Sequence, residues 1–272
     1  MQSVSCPRLS RWTEVNQNML NSSLPGVEII WGGKLPSHGD FLWSNPRNAA
    51  RARFEGWLQM GMLQGRSQYG DDWKELMARA PVWNFLAPPN ALNLPYGVVG
   101  SLAASFDRVG RQYPFMVGYV FLREMLINNA GLVLELPSLV NLTGHELHTA
   151  IRRAWPRAAL ESIWPNVLAQ WRQGWAADVQ QTLQQPTVAR SEILDVLGHH
   201  ASLGTNEAEM STRPAMRESA YPWPDIMLSL RSANCPSFWW TNPAGGSPLK
   251  ALAYESPLDG LLMTWLFGRG AR

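Results

Sequence analysis

Cysteine is nearly absent from this 272-residue chain: Cys6 and Cys235 stand far apart, with no CxxC spacing. That argues against the disulfide framework that staples small secreted domains. An excess of charge of one sign is also lacking, since 23 Lys and Arg face 21 Asp and Glu for a net charge of +2. Binders of nucleic acid or anionic membrane carry a basic footprint that this balance does not supply. The first twenty residues have polar side chains and Arg where a cleaved signal would need an apolar core, and no apolar run reaches the length of about 18 that a membrane-spanning helix requires. The expectation is a cytoplasmic protein with reduced thiols and no stable membrane insertion.

What the chain has in excess is tryptophan, 14 residues against 6 Tyr and 8 Phe. Each indole must bury a large area and usually finds a partner for its N–H, so the count implies many anchored interior positions. Hydrophobic residues make up 46% and charged residues 16%, the reverse of the balance that keeps chains unfolded. Without a low-complexity linker to divide it, the chain reads as a loose N-terminal leader, 1–26, followed by one α/β domain, 27–272. A sheet-rich half, 27–137, carries the densest motifs, and a helix-rich half, 138–272, ends in late strands and a C-terminal helix.

Val27 to Trp31 is β-branched and apolar and is cut off by Gly32-Gly33, as a first strand would be. Asn45-Pro46 offers a helix start, after which Ala50, Phe54, Trp57, Leu58 and Met62 recur on one helical face until Gly65. A short helix opens at Asp71-Asp72 with Trp73, Leu76 and Met77 inward. Strands are expected over Val82–Leu86, Gly97–Ala104 and Tyr113–Leu122. Further on, Thr143 and Glu146 have the spacing of a capping box, predicting a helix from there through Trp155. Leu160, Trp164, Leu168, Trp171 and Trp175 stripe a helical region expected to break near Pro156 and Pro165. Ser202–Pro214 reads as an exposed loop, and Ile226–Leu230, Ser237–Trp240 and Leu249–Tyr254 as short strands. Ser256 to Asp259 is a second capping box, opening a helix from about Pro257 to Phe267.

Two loops concentrate polar chemistry. The first, Gly32 to Phe41, fails as a phosphate cradle, because Glu28 and Leu35 stand where a Walker A loop needs Gly and Ser or Thr. It is either a rigid turn-rich connection whose glycines take positive φ, or a surface where Lys34, Ser37, His38 and Asp40 meet a partner. In the second, Ser105 to Phe115, Asp107 with Arg108 and Arg111 around Gly110 suits either a turn pinned by an ion pair or a binding site. Asp40 and Asp107 would serve as a catalytic pair only if they met.

Other chemistry finds little support. His145-Glu146-Leu147-His148 is one residue short of the HExxH zinc motif, His199-His200 follows a glycine as a helix end would, and no Gly-x-Ser-x-Gly elbow occurs. Ser247 to Lys250 matches Ser-x-x-Lys without any companion motif. No metal, cofactor or catalytic residue is assigned, and an enzyme is not expected. In Phe238-Trp239-Trp240, strand alternation sends the two indoles to opposite faces.

Taken in order, Gly33-Lys34-Leu35-Pro36-Ser37-His38-Gly39-Asp40-Phe41, Ala80 to Phe85 with Trp83 at its centre, Ser105 to Phe115 with Gly110 and Pro114, and Ser237 to Trp240 with Trp239 and Trp240 resemble the type VI secretion-associated TagF family, also called ImpM. The likeness in order and spacing runs over about residues 28–125. It implies a three-layer α/β/α sandwich with a central mixed or largely antiparallel sheet flanked by helices. It also implies a cytoplasmic, non-enzymatic accessory that represses secretion post-translationally by binding a forkhead-associated scaffold protein. On that reading Lys34, Ser37, His38, Asp40, Asp107, Arg108 and Arg111 are candidates for the partner surface. The rival is a small-molecule or phosphate-binding protein, or a hydrolase, with Lys34, His38, Asp40 and Asp107 in one cleft. The tryptophans are expected to brace the two loops from behind, and an exposed ring would mark the partner's place.

Overall fold

The computed structural model describes residues 27–44, 47–184, 216–218 and 226–268. The leader, the Asn45-Pro46 helix start, His199-His200 and the 202–214 loop lie outside them.

Strands buried on both faces build the sheet. β1 (Glu28–Gly33), β2 (Leu42–Trp43), β3 (Trp83–Ala87), β4 (Tyr96–Ala103), β5 (Phe115–Leu122), β6 (Met216–Glu218), β7 (Ser237–Thr241) and β8 (Ala251–Tyr254) join in the order β2-β1-β5-β4-β3-β7-β8-β6. Every neighbouring pair among these strands is antiparallel. Trp83, Phe85, Val98, Leu102, Met116, Trp239 and Leu252 share one buried face. Val99, Tyr119, Phe121, Phe238 and Trp240 share the other. Both indoles of the Trp239-Trp240 pair are thus core, one in each layer.

On the first face lie α1 (Ala49–Tyr69), α2 (Asp72–Arg79) and α8 (Gly260–Phe267), contributing Phe54, Trp57, Met62, Trp73, Met263 and Phe267. A one-turn α3 (Pro89–Leu92) follows β3. The opposite face is covered by α4 (Arg123–Asn128), α5 (Ala130–Arg152), α6 (Arg157–Gln184) and α7 (Ile226–Arg231). The result is an α/β/α sandwich around an antiparallel sheet.

Several local expectations yield to tertiary context. α1 is capped by Asn48, whose side chain accepts from Arg51 N (3.0 Å), and runs past Gly65 to Gly70; Gly65 sits mid-helix, buried against the Trp73 indole. Pro165 lies inside α6. A helix-interior proline costs about 3 kcal/mol, whereas each large apolar side chain buried is worth about 1.5–3 kcal/mol. Leu160, Trp164, Leu168, Trp171 and Trp175 are all buried along that one helix, so the stripe outweighs the break. The break at Pro156 does occur, between α5 and α6. Ile226–Leu230 is a helix, not a strand, because apolar runs this short carry no decisive period. Asp259 itself caps α8, accepting from Leu262 N (3.0 Å), so the helix starts three residues later than a Ser256 cap would place it.

The Thr143–Glu146 capping box fails for a more informative reason: Thr143 is in the middle of α5. Its Oγ1 donates to Leu139 O (2.8 Å) and meets Tyr119 Oη (3.1 Å). Beside it Gly144 packs on a buried amide cluster, and a Cβ there would run into the Asn242 side chain. Thr143 and Gly144 are the point at which the long helix docks on the sheet.

Candidate functional site

The pairing of β1 with β5 sets Gly33 opposite Phe115, so the loop leaving β1 and the loop entering β5 emerge side by side at one end of the sheet. Gly33 has φ 133°, a region costly for any side chain, and a Cβ there would meet Pro114 O. The positive φ expected of the glycine pair is thus found at Gly33. The second loop closes on itself through an isolated bridge between Phe106 and Gln112 and through Asp107 N–H to Arg111 O (3.1 Å).

Asp107 ties the loops together. It is wholly buried, and its carboxylate accepts four hydrogen bonds. Oδ1 takes Val109 N (3.1 Å) and Arg111 N (2.9 Å); Oδ2 takes Lys34 Nζ (2.9 Å) and Arg111 Nε (2.7 Å). Burial alone would raise its pKa, but the Lys34 ammonium and the Arg111 backbone and guanidinium donors outweigh it and hold the carboxyl well below the usual carboxylate range. Around this knot Arg108 N donates to His38 O (2.8 Å), and Arg111 Nη2 donates to Gly39 O (2.7 Å). Ser37 Oγ lies 2.8 Å from His38 Nδ1 and donates to Trp155 O (2.7 Å), strapping the first loop to the α5–α6 corner.

The seven candidate residues therefore divide. Lys34, Asp107 and Arg111 form the knot, and Ser37 is a strap. His38 is half-buried, while Asp40 and Arg108 are exposed. All four acceptor sites of the Asp107 carboxylate are occupied, which leaves none for abstracting a proton. Among the residues read as structural, Pro36 and Gly39 are half-buried, Pro114 is buried, and Trp83 donates its buried indole N–H to Leu266 O (3.0 Å). Phe41 lies at the surface, and Gly110, also exposed, takes φ 83° in the turn.

Phe41 is 49% exposed, with its ring edge-on to Tyr113 (4.8 Å between centroids) and Lys34 Nζ 4.9 Å from its centre. Phe106 (45%) and Val109 (68%) are exposed on the second loop and were not singled out from sequence. The available signal was the placement of large apolar residues inside a turn-rich, charged segment. No tryptophan is exposed among the described residues. Trp31 and Trp155 do back the loops, but Trp57, Trp83, Trp171, Trp239 and others pack on the sheet away from them.

Next to the second loop a groove of about 550 Å³ opens toward the α1–α2 corner. Met62, Arg66, Asp71, Trp73 and Lys74 form one wall and Gly110 to Gln112 the other, with Gln112 Nε2 donating to Lys74 O (2.9 Å) across it. None of Lys34, His38, Asp40 and Asp107 lines this groove.

A second polar cluster escaped sequence reasoning. The Asn84 amide lies 2.9 Å from Ser101 Oγ, Asn242 Nδ2 and Asn141 Oδ1, and 3.1 Å from Trp240 Nε1. Asn242 Nδ2 also reaches Val140 O (3.2 Å) on α5. Asn84, Ser101 and Asn242 are fully buried. An asparagine in the middle of an otherwise apolar strand was the one clue. Among the described residues no group of three or more His, Cys, Asp or Glu gathers as a metal site, and no helix is long and apolar enough to cross a membrane.

No curated protein matches this chain. The crystal structure of PA0076 from Pseudomonas aeruginosa PAO1 aligns over 88% of this chain and 94% of that one, at 19% identity and a TM-score of 0.45. Residues 31–164, which hold both loops and the knot between them, match the TagF N-terminal domain, described as type VI secretion system-associated. The chain carries the N-terminal domain of the TagF family of type VI secretion-associated proteins.

Proposed function

We propose that this protein represses type VI secretion post-translationally, in the cytoplasm, by binding a forkhead-associated scaffold or another component of the apparatus through the 34–41 and 105–114 loops. One observation carries the reading: the Asp107 knot holds two loops rigid while Phe41, Phe106, Arg108 and Val109 stand exposed on them. Aromatic and arginine side chains dominate binding hot spots, and a surface already ordered before contact avoids the entropy of ordering it on association. Repression of this kind is stoichiometric sequestration and needs no chemistry at the surface.

The test is capture of the scaffold by a Phe41→Ala, Arg108→Glu variant shown by circular dichroism to be folded. Arg108 is suitable because only its backbone N–H is engaged in the loop, whereas reversing Arg111 would tear the knot. Loss of capture and of repression is expected. Undiminished capture with undiminished repression overturns the assignment of this surface.

A further inference from the structure

The groove beside the second loop has a charge asymmetry that the fold does not use. Arg66 comes from the last turn of α1, Lys74 from α2 and Arg111 from the loop, against a single acid, Asp71. Neither Arg66 nor Lys74 has an ion-pair partner among the described residues, although the neighbouring Arg79 is paired with Glu75. The Arg111 guanidinium spends one edge on Asp107 and Gly39 and remains 60% exposed. Met62 and Trp73 add an apolar wall. The volume falls in the range of about 300–1,000 Å³ over which proteins hold ligands.

We propose that this groove binds an acidic peptide segment, its carboxylates meeting Arg66, Lys74 and the outer edge of Arg111 while an intervening apolar side chain lies against Met62 and Trp73. This rests on the reading of the 105–114 loop as a partner surface and supplies the chemistry of the partner's contacting segment. An extended chain is favoured over a small anion because the three cations come from three different elements along an exposed rim, rather than converging on one point with backbone donors. It is favoured over nucleic acid because Asp71 stands on the same rim and the whole chain carries a net charge of only +2. Carboxylates spaced along a peptide match separated guanidinium and ammonium groups, and such pairing governs encounter and register more than raw affinity.

The experiment measures fluorescence anisotropy of a labelled peptide of alternating aspartate and leucine on addition of the full chain. Saturable binding is expected, weakening as salt is raised. Arg66→Glu with Lys74→Glu should weaken it about tenfold or more, whereas Arg153→Glu, at the far end of α5, should leave it unchanged. Should the reversal not fold by circular dichroism, Arg66→Gln with Lys74→Gln takes its place and should weaken binding in the same direction. Absence of saturable binding overturns the proposal, as does equal weakening by Arg153→Glu. Displacement of the peptide by inorganic phosphate or by a single-stranded oligonucleotide at comparable concentration also overturns it, reassigning the groove to that anion. A chain that captures the scaffold yet binds no acidic peptide removes the groove alone and leaves the repressor reading standing. One that binds the peptide through Arg66 and Lys74 but fails to capture the scaffold removes the repressor reading alone.

Discussion

Two of the polar clusters buried among the described residues do opposite work. The Asp107 knot is ionic, lies at the sheet end and joins two loops; the Asn84 cluster is neutral, lies under α5 and joins a helix to strands β3, β4 and the end of β7. A buried charge is costly unless paired and fully hydrogen-bonded, so the knot tolerates no missing member. A neutral amide network costs less to bury and conveys direction instead, fixing where α5 can sit. The charged cluster fixes two loops against each other at the sheet end, while the neutral one fixes the registry of the layers.

Breaking the knot should give the largest effect. Asp107→Ala removes the acceptor for four donors and leaves Lys34 buried without its counter-charge, so thermal unfolding should shift further than for Asn84→Ala or Gly144→Ala in the neutral cluster. The pH dependence has a definite sign. Because the folded pKa is depressed, the stabilisation is fully present above the unfolded carboxylate value of about 3.9 and is lost as pH falls below it toward the folded value. The difference in melting temperature between the native chain and Asp107→Asn should therefore narrow as pH is lowered through that range. A difference that stays constant or widens would mean that the carboxylate charge does not hold the loops.

The neutral cluster comes next. Asn84→Ala leaves the Asn242 amide and Ser101 hydroxyl short of partners under α5 and should cost about 2–3 kcal/mol in chemical denaturation. Unlike the knot's contribution, this loss should not vary between pH 3 and pH 7 on the order of the Asp107 effect, since the cluster holds no titrating group. Gly144→Ala sharpens the same point by its sign. In an exposed helix interior alanine is better than glycine by about 1 kcal/mol, but here its Cβ would strike the Asn242 amide, so a net loss of about 1–2 kcal/mol is expected. A gain in stability would show that α5 does not dock so closely.

The smallest effect is a silence. Burial pushes the Cys235 thiol up to about 12, with Arg123 opposing weakly, so in a Cys6→Ser chain it should not react with a thiol reagent at pH 8 until the protein is unfolded. Ready reaction in the folded state would mean that the α5 side of the sheet opens more easily than its packing implies.

Much of the fold was legible because its signals are local and periodic. The buried face of α1, the stripe of α6 and the opposite placement of Trp239 and Trp240 all follow from spacing that any segment carries within itself. The Asp107–Arg111 contact was legible as one of two alternatives, since a turn can pin itself within a few residues. Lys34 joining it was not, because the partners are 73 positions apart. Thr143 and Glu146 misled because a capping box and a docking Thr-Gly pair are the same letters; only the amide cluster beneath Gly144 distinguishes them. Pro165 misled because the expectation weighed one lost hydrogen bond and omitted the core it would have disrupted.

By itself, then, the sequence determined that the chain packs as layered helices and strands around tryptophan-rich faces, and that two polar loops interrupt them, because hydrophobic period and turn chemistry act over a few residues. Only the tertiary structure decided that those loops share one buried carboxylate, that Phe41, Phe106 and Val109 stand outside it, and that Arg66, Lys74 and Arg111 line a single groove. Those arrangements depend on strand order and on long-range closure, and no local pattern encodes which distant side chains a sheet will bring to the same end.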